Sequence, residues 1–249
     1  MGSSTARAER PLAYEAERRS AAPPVISIAP GLFSNILLIV PTLDEENGLP
    51  LVLSQARQLG IAVVVADAGS TDRTREIASE FDTPVLNVPR GKGRGWRELL
   101  ARLDYTSWEY LAMVDGDATY DLQALPRMLE HRADMVIGLR KALPGATTWV
   151  RGLGDVCFSE LVSLFTGRDC PDLLSGFRIM RSSCLQRIFF TSSNFELETE
   201  LTIRFLRRGF SVEWVDTEYR SRLGRSKLHV VKDGWRILRA IVYYSTVEP

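Results

Sequence analysis

The sequence predicts an α/β domain built on a mostly parallel sheet flanked by helices. Two observations carry this expectation. Short apolar runs alternate along the first half with segments of helical spacing, the pattern of β-α-β units. The first four runs each end in polar or glycine-rich residues: Asp44-Glu45, Asp67, Lys92 and the pair Asp115/Asp117. Ligands of open α/β sheets bind beyond the carboxyl ends of the strands, so four such ends point to one shared site.

Residues 35–40 are apolar up to Pro41 and read as a first buried strand, followed by the loop Pro41-Thr-Leu-Asp-Glu-Glu-Asn47 and a helix over 49–59. A second strand spans 61–66 and leads into Asp67-Ala-Gly-Ser-Thr-Asp72, where Thr71 or Asp72 is placed to cap the next helix. A short third strand at 84–88 opens into Arg90-Gly-Lys-Gly-Arg-Gly95, ahead of a helix over 96–103. The fourth, Tyr110-Leu-Ala-Met-Val-Asp115, runs directly into Gly116-Asp117. In extended backbone, residues two apart share a face, which sets Asp115 beside Asp117. Gly116, lacking a side chain, leaves room for a bulky polar ligand. A helix over 122–131 and a fifth strand over 134–138 follow. The second half reads as helices at 148–165, 196–208 and 231–244, a short extended piece at 179–180 with a short helix to 188, and a strand at 210–215.

Composition narrows the function. The 249 residues carry no net formal charge, which argues against a nucleic-acid partner held by bulk charge. Cys157, Cys170 and Cys184 are odd in number and lack metal-ligand spacing, and His131 and His229 form no H-E-x-x-H; neither a disulfide framework nor a zinc hydrolase is expected, and a reducing cytoplasm fits. No run of 18 apolar residues occurs. Residues 1–30, with Pro23-Pro24, read as a mobile arm. Residues 31–249 read as one domain in two halves, 31–121 and 122–249.

Each candidate motif has a plain reading beside its functional one. Two adjacent acids repel unless a cation, a shared proton or water relieves them. Asp115-Gly-Asp117 is thus either a solvated turn or a seat for Mg²⁺ or Mn²⁺ carrying a diphosphate. Asp67 either bonds its own turn or accepts from a base or ribose. Gly91-Lys-Gly-Arg-Gly95 fits neither the dinucleotide nor the P-loop pattern, and is either a solvated basic loop or a flexible cationic loop for phosphate. Arg178 of Ser175-Gly-Phe-Arg178 is a surface arginine or a phosphate fork. Arg220, Arg222, Arg225 and Lys227 are a solvated charge run or an anion clamp. Behind them, Val231, Trp235, Leu238 and Val242 share a helix face that either packs on the core or lies on an anionic bilayer.

Taken in order, Pro41-Thr-Leu-Asp-Glu-Glu-Asn47, Asp67-Ala-Gly-Ser-Thr-Asp72, Gly91-Lys-Gly93, Asp115-Gly-Asp117, Ser175-Gly-Phe-Arg178, Phe195-Glu196 and Arg222-Leu-Gly-Arg-Ser-Lys-Leu228 resemble the family 2 glycosyltransferases of the GT-A fold, in particular the branch of dolichol-phosphate mannose synthase and the polyprenyl-phosphate glycosyltransferases. The resemblance covers residues 36–245 and implies a nucleotide-sugar-binding half (31–121) and an acceptor-binding half (122–249). It implies a single catalytic domain that takes a UDP- or GDP-sugar and a polyprenyl phosphate, with Mg²⁺ or Mn²⁺ held by Asp115 and Asp117. Pro41, Thr42, Leu43, Glu45, Asp67, Gly69, Ser70, Lys92, Asp115 and Gly116 would line the nucleotide-sugar pocket. Arg178, Arg222, Ser226 and Lys227 would meet the acceptor phosphate. The chain departs from its relatives in carrying Asp67-Ala68 where many have two acids. It also carries Thr119, with Asp121 beyond it, where mannose synthases place a third metal-binding group.

The implied chemistry is inverting transfer of a sugar, with Asp117 and Arg178 among the catalytic groups. A lipid phosphate is already mostly ionised near neutral pH and needs positioning cations rather than a base. A soluble hydroxyl acceptor, such as an osmolyte or secondary metabolite, instead requires a carboxylate to take its proton, and Asp172 and Glu196 are the candidates. A nucleotidyltransferase is disfavoured, because the acidic Asp44-Glu45-Glu46 stands where a basic glycine-rich loop is expected. A non-catalytic nucleotide-binding protein is the remaining alternative. The expected location is the cytoplasm, with peripheral contact at the membrane face.

Overall fold

The structure is a computed structural model that describes residues 33–143, 149–224, 227 and 229–247. The expected arm of residues 1–30 lies outside the described residues. Strand β1 (Ile36–Thr42) forms the middle of the sheet, and its residues 36–40 are completely buried. Alternation sends Leu37 and Ile39 to one apolar layer and Ile36, Leu38 and Val40 to the other. A strand covered on both faces has no polar side, so it reads in sequence as an unbroken apolar run. β2 (Ala62–Asp67) and β4 (Tyr110–Met113) flank β1 in parallel, and β3 (Val85–Asn87) adds in parallel beyond β2.

β6 (Arg178–Arg181) runs antiparallel to β4 and to β5 (Met135–Ala142), and β7 (Val212–Tyr219) pairs in parallel with β5. The seven strands make one sheet in the order β3-β2-β1-β4-β6-β5-β7. One reversed strand between two parallel sets keeps the carboxyl ends of all the others on one side. The sheet also passes without a break from residues before 121 to residues after 122, because β4 pairs with β6.

Helix α1 (Leu49–Leu59) begins at Gly48, has Pro50 in its first turn, and closes on Gly60 in the left-handed region at φ 64°. With α2 (Thr74–Glu80) and α4 (Leu125–Glu130) it covers one face of the sheet, burying Val52, Leu53, Ile77, Leu125 and Met128. The other face is covered by α3 (Lys92–Arg102) and α7 (Leu197–Arg207) through Trp96, Leu99, Leu201 and Phe205. A smaller third core joins α7 to α5 (Trp149–Thr166) and α8 (Val230–Thr246) through Val162, Ile203, Ile237 and Ile241. The four-residue α6 (Ser182–Leu185) follows β6.

Two sequence expectations change, and a third, left with two readings, is narrowed. β4 ends at Met113, and Asp115-Gly-Asp117 is a turn with Ala118 at φ 59°, so strand alternation is not what brings the acids together. Lys92, Gly93 and Gly95 are the first turn of α3 rather than a loop before it. The face of α8 holding Val231, Trp235 and Val242 is exposed, and the helix packs instead through Ile237, Ala240, Ile241 and Tyr244.

Candidate active site

The strand ends open onto a cavity of ≈ 430 Å³. β1 and its loop contribute Pro41, Thr42, Leu43 and Glu45; the turn after β4 contributes Asp115, Gly116 and Asp117. Lys92 comes from α3, Arg140 from the end of β5, Glu198 from α7, and Arg222 and Lys227 from the segment after β7. Phe158 and Ile237 line it from α5 and α8, and Leu174 from the loop before β6.

The two acids have different partners. Asp115 Oδ1 accepts a hydrogen bond from Lys92 Nζ at 2.6 Å. Burial opposes its charge, but Lys92, with Arg222 and Arg140 farther off, holds the carboxyl below its ordinary range. Asp117 is 1% exposed. Burial first, and the Asp115 charge second, push its carboxyl above the ordinary range against the pull of Arg222. Its Oδ1 accepts from Thr119 N–H at 3.1 Å and from the Thr119 hydroxyl at 2.7 Å. Its Oδ2 lies 2.6 Å from Arg222 Nη2. Gly176 makes room for this arrangement, because a Cβ there would overlap the Asp115 carboxylate. Gly116 faces Thr42 and Pro41 on β1, so the neighbouring strand, rather than a ligand, excludes a side chain at that position.

Lys92 sits between Asp115 and Glu198, with which it forms a second ion pair. Burial alone lowers a lysine pKa, yet the two carboxylates together hold this ammonium above the ordinary lysine value. The turn that carries it is clamped: Gly93 N–H donates to Asn194 O at 3.1 Å, and Arg94 N–H donates to Ser193 O at 3.2 Å. The clamping segment is held in turn by Glu196, which accepts from Ser193 and Asn194 N–H, and by Glu200, which accepts from Thr191 and Ser192 N–H. A Cβ at Gly93 would strike the Ser192 carbonyl. Gly93→Ala is therefore expected to cost about 2 kcal/mol, within the range for overpacking a tight contact. If Lys92 meets the nucleotide-sugar that the sequence resemblance implies, the variant is also expected to raise the KM for it, because the shift falls on Lys92; an unchanged KM would separate Lys92 from that substrate.

Several predicted residues lie away from the cavity. Arg178 is 0% exposed, and its guanidinium donates to Ser175 O, Leu173 O and the Thr202 hydroxyl, which corrects the expectation of a phosphate fork. Asp172 is held bidentately by Arg140, from Nε at 2.8 Å and Nη2 at 2.7 Å, so it orients that arginine and does not stand ready as a base. Glu196 takes two backbone N–H groups on Oε1, leaves its buried Oε2 without a hydrogen bond, and does not line the cavity. Asp67 is buried and accepts from Gly69 and Ser70 N–H and from Arg75 Nε at 2.6 Å. Burial opposes its charge, but Ser70 and Arg75 outweigh that and lower its pKa. Gly69 and Ser70 form this turn and are not in the cavity wall. Asp121 caps Gln123 and pairs with Arg220. Ser226 lies outside the described residues. Lys227 reaches Glu45 Oε1 and Asp44 O, each at 2.7 Å, which bends the segment after β7 over the loop after β1.

Among the described residues no three His, Cys, Asp or Glu side chains converge as a closed metal site. Two carboxylates are nevertheless what Mg²⁺ or Mn²⁺ needs when substrate phosphates and water complete the shell. Arg222 is the ion-pair partner of the buried Asp117 Oδ2, and the buried Glu45 Oε2 beside this cluster accepts no hydrogen bond. The donor set fits a divalent cation.

Residues 37–189, well over half of the chain, match the family model described as Glycosyl transferase family 2. The chain belongs to glycosyltransferase family 2. It is 33% identical to Glycosyltransferase AglJ of Haloferax volcanii over 80% of this chain and 68% of that protein. It is 32% identical to Dolichyl-phosphate hexose transferase of the same organism, over 84% of this chain and 93% of that one. Low-salt glycan biosynthesis hexosyltransferase Agl6 is 31% identical, and the match spans 52% of its length. Glucosyl-3-phosphoglycerate synthase from Mycobacterium tuberculosis, solved with Mn²⁺ and UDP, superposes with a TM-score of 0.67 at 19% identity, over 86% of this chain and 81% of that one. That likeness establishes the GT-A architecture. As a family 2 member, the protein is a glycosyltransferase.

Proposed function

We propose that the protein transfers a sugar, with inversion, from a UDP- or GDP-sugar to the phosphate of a polyprenyl lipid. The observation that carries this reading is the two-part lining of one cavity. Acids and cations (Asp115, Asp117, Lys92, Arg140, Arg222 and Lys227) meet an apolar wall of Phe158, Leu174 and Ile237. The first part suits two phosphorylated substrates, and the second suits the start of a hydrocarbon chain. The Dolichyl-phosphate hexose transferase matched over most of its length supports the same acceptor.

In this reading Asp115 and Asp117 hold Mg²⁺ or Mn²⁺, which when bound neutralises charge on the leaving diphosphate. Lys92 and Arg222 bracket that diphosphate. Pro41, Thr42, Leu43 and Glu45 border the nucleotide, with Asp67, Gly69 and Ser70 shaping the loop beneath it. Arg140, oriented by Asp172 and packed over the Tyr219 ring at 5.5 Å, is added to Arg222, Ser226 and Lys227 as a holder of the acceptor phosphate. A phosphate oxygen held in line with the sugar's anomeric carbon forms the new C–O bond as the bond to the diphosphate breaks. No side chain has to remove a proton, which accords with Asp172 being held by Arg140 and Glu196 standing outside the cavity wall. A lipid acceptor also calls for peripheral contact with a membrane surface.

The test is a screen of UDP-glucose, UDP-GlcNAc and GDP-mannose with Mg²⁺ or Mn²⁺, with and without a polyprenyl phosphate, and with EDTA as control. Nucleotide release that needs both metal and lipid is the expected outcome. Turnover on a hydroxyl acceptor, with none on the lipid phosphate, would overturn the reading.

A further inference from the structure

The cavity has a second apolar wall, on the side of α3, away from Phe158 and Ile237. Helix α3 lines it for about two turns: Lys92 comes first, and Gly95, Trp96 and Leu99 follow at helical spacing. Ile39 and Ala66 face them from β1 and β2, Val88 from just past β3, and Leu197 from the first turn of α7. Apart from Lys92 and Val88, these residues are all buried.

One polar atom is left over in this wall. Trp96 is 3% exposed, and its buried indole N–H finds no acceptor among the described residues. Indole donates and does not accept, so the group that satisfies it must bring an oxygen. The side chains around it are hydrocarbon. A sugar hydroxyl placed among them would satisfy the indole and strand its own proton, which is costly in an apolar site. A carbonyl has no proton to strand, and a methyl group beside it suits the hydrocarbon wall. An N-acetyl group carries both.

We propose that this limb of the cavity receives the N-acetyl group of a 2-acetamido sugar, so that the donor is a nucleotide-activated N-acetylhexosamine. The proposal rests on the donor half of the functional reading and names its sugar. Spacing supports it. In that reading Lys92, paired with Asp115 at 2.6 Å, marks the diphosphate. Trp96 lies four residues on, about 6 Å along the helix axis. In a 2-acetamido sugar the amide hangs from the carbon next to the one joined to the diphosphate, so its carbonyl falls within that span. Glu198, the second partner of Lys92, lines the cavity beside it and offers the amide N–H an acceptor. A plain hexose would leave the limb unfilled and the indole unpaired.

The experiment is calorimetric titration of UDP, UDP-glucose, UDP-GlcNAc and GDP-mannose, each with Mn²⁺, into the wild-type chain, Trp96→Phe and Ala66→Val. The two UDP-sugars differ only in the substituent at the second carbon. The expected result is that wild type binds UDP-GlcNAc about ten-fold or more tightly than UDP-glucose. Trp96→Phe, which removes the N–H, should bind the two alike. Ala66→Val, which fills the limb, should weaken UDP-GlcNAc and spare UDP-glucose. UDP alone should bind all three proteins equally. Equal affinity of wild type for the two UDP-sugars, or preference for GDP-mannose over both, would overturn the proposal and leave the functional reading standing. So would a loss of UDP affinity in Trp96→Phe, which would place the indole against the nucleoside. Failure of all four nucleotides to bind would instead fail the functional reading, and the proposal with it.

Discussion

Asp117→Asn is expected to lower glycosyl transfer about 10³-fold, the scale on which loss of one group that stabilises developing charge is felt, while leaving the melting temperature nearly unchanged. The two halves of this expectation come from the same surroundings. Ionised Asp117 is costly, being 1% exposed and repelled by Asp115, and only Arg222 and Thr119 offset that. Asparagine keeps a carbonyl oxygen for the Thr119 N–H and hydroxyl. It loses the Arg222 pair but also sheds the charge that burial disfavours, so folding free energy changes little. On the proposed reading, catalysis loses the second anionic ligand for the cation and with it the hold on the diphosphate. Nucleotide-release assays and circular-dichroism melts on one preparation check both parts. Activity within ten-fold of wild type would remove Asp117 from the metal-diphosphate site. Asp115→Asn should behave differently: it withdraws one of the two carboxylates that hold Lys92, so activity and melting temperature are both expected to fall.

The sheet was legible because both faces of β1, β2 and β4 are buried, which makes each strand an apolar run with a polar end. The acid pair was legible as chemistry but not as geometry, since the turn at Ala118, not strand alternation, places it. Arg140 and Tyr219 escaped the sequence reading although the same rule reaches them. β5 and β7 run parallel to each other, and two antiparallel steps through β6 align them with β4, so their carboxyl ends open on the same side. That alignment depends on β6 being reversed, and four residues between a loop and a single helical turn do not announce their direction. Glu196 and Glu198 differ only in helical phase: one precedes α7 and takes N–H groups, the other enters the cavity beside Lys92. The stripe of α8 stayed open for the opposite reason. The helix carries two apolar rows, and periodicity finds both without telling which one is covered.

Arg178→Met is expected to lower the melting temperature by roughly 10 °C, with the KM for the acceptor unchanged at temperatures where the variant is folded. An arginine in Ser-Gly-Phe-Arg resembles a phosphate ligand because its fork suits oxyanions. Here the fork grips the chain itself. Nε donates to Ser175 O at 2.8 Å, Nη1 to the Thr202 hydroxyl at 2.7 Å, and Nη2 to Leu173 O at 2.6 Å. Burial draws its pKa below the ordinary arginine value, against the opposite pull of Glu198 and Asp172, so the charge is held at a cost that these bonds offset. Methionine approximates the volume and removes every donor. Two buried carbonyls are then stranded at about 1–3 kcal/mol each, partly relieved by loss of the buried charge, for a net near 3 kcal/mol. At about 2–4 °C per kcal/mol for a domain of this size, the shift follows. Arg178→Lys should recover little, because one ammonium cannot span three acceptors set in a fork. The loop that Arg178 fixes also presents Gly176 to Asp115, so kcat is expected to fall with stability while KM holds. A raised KM with an unmoved melting temperature would instead return Arg178 to the substrate's phosphate.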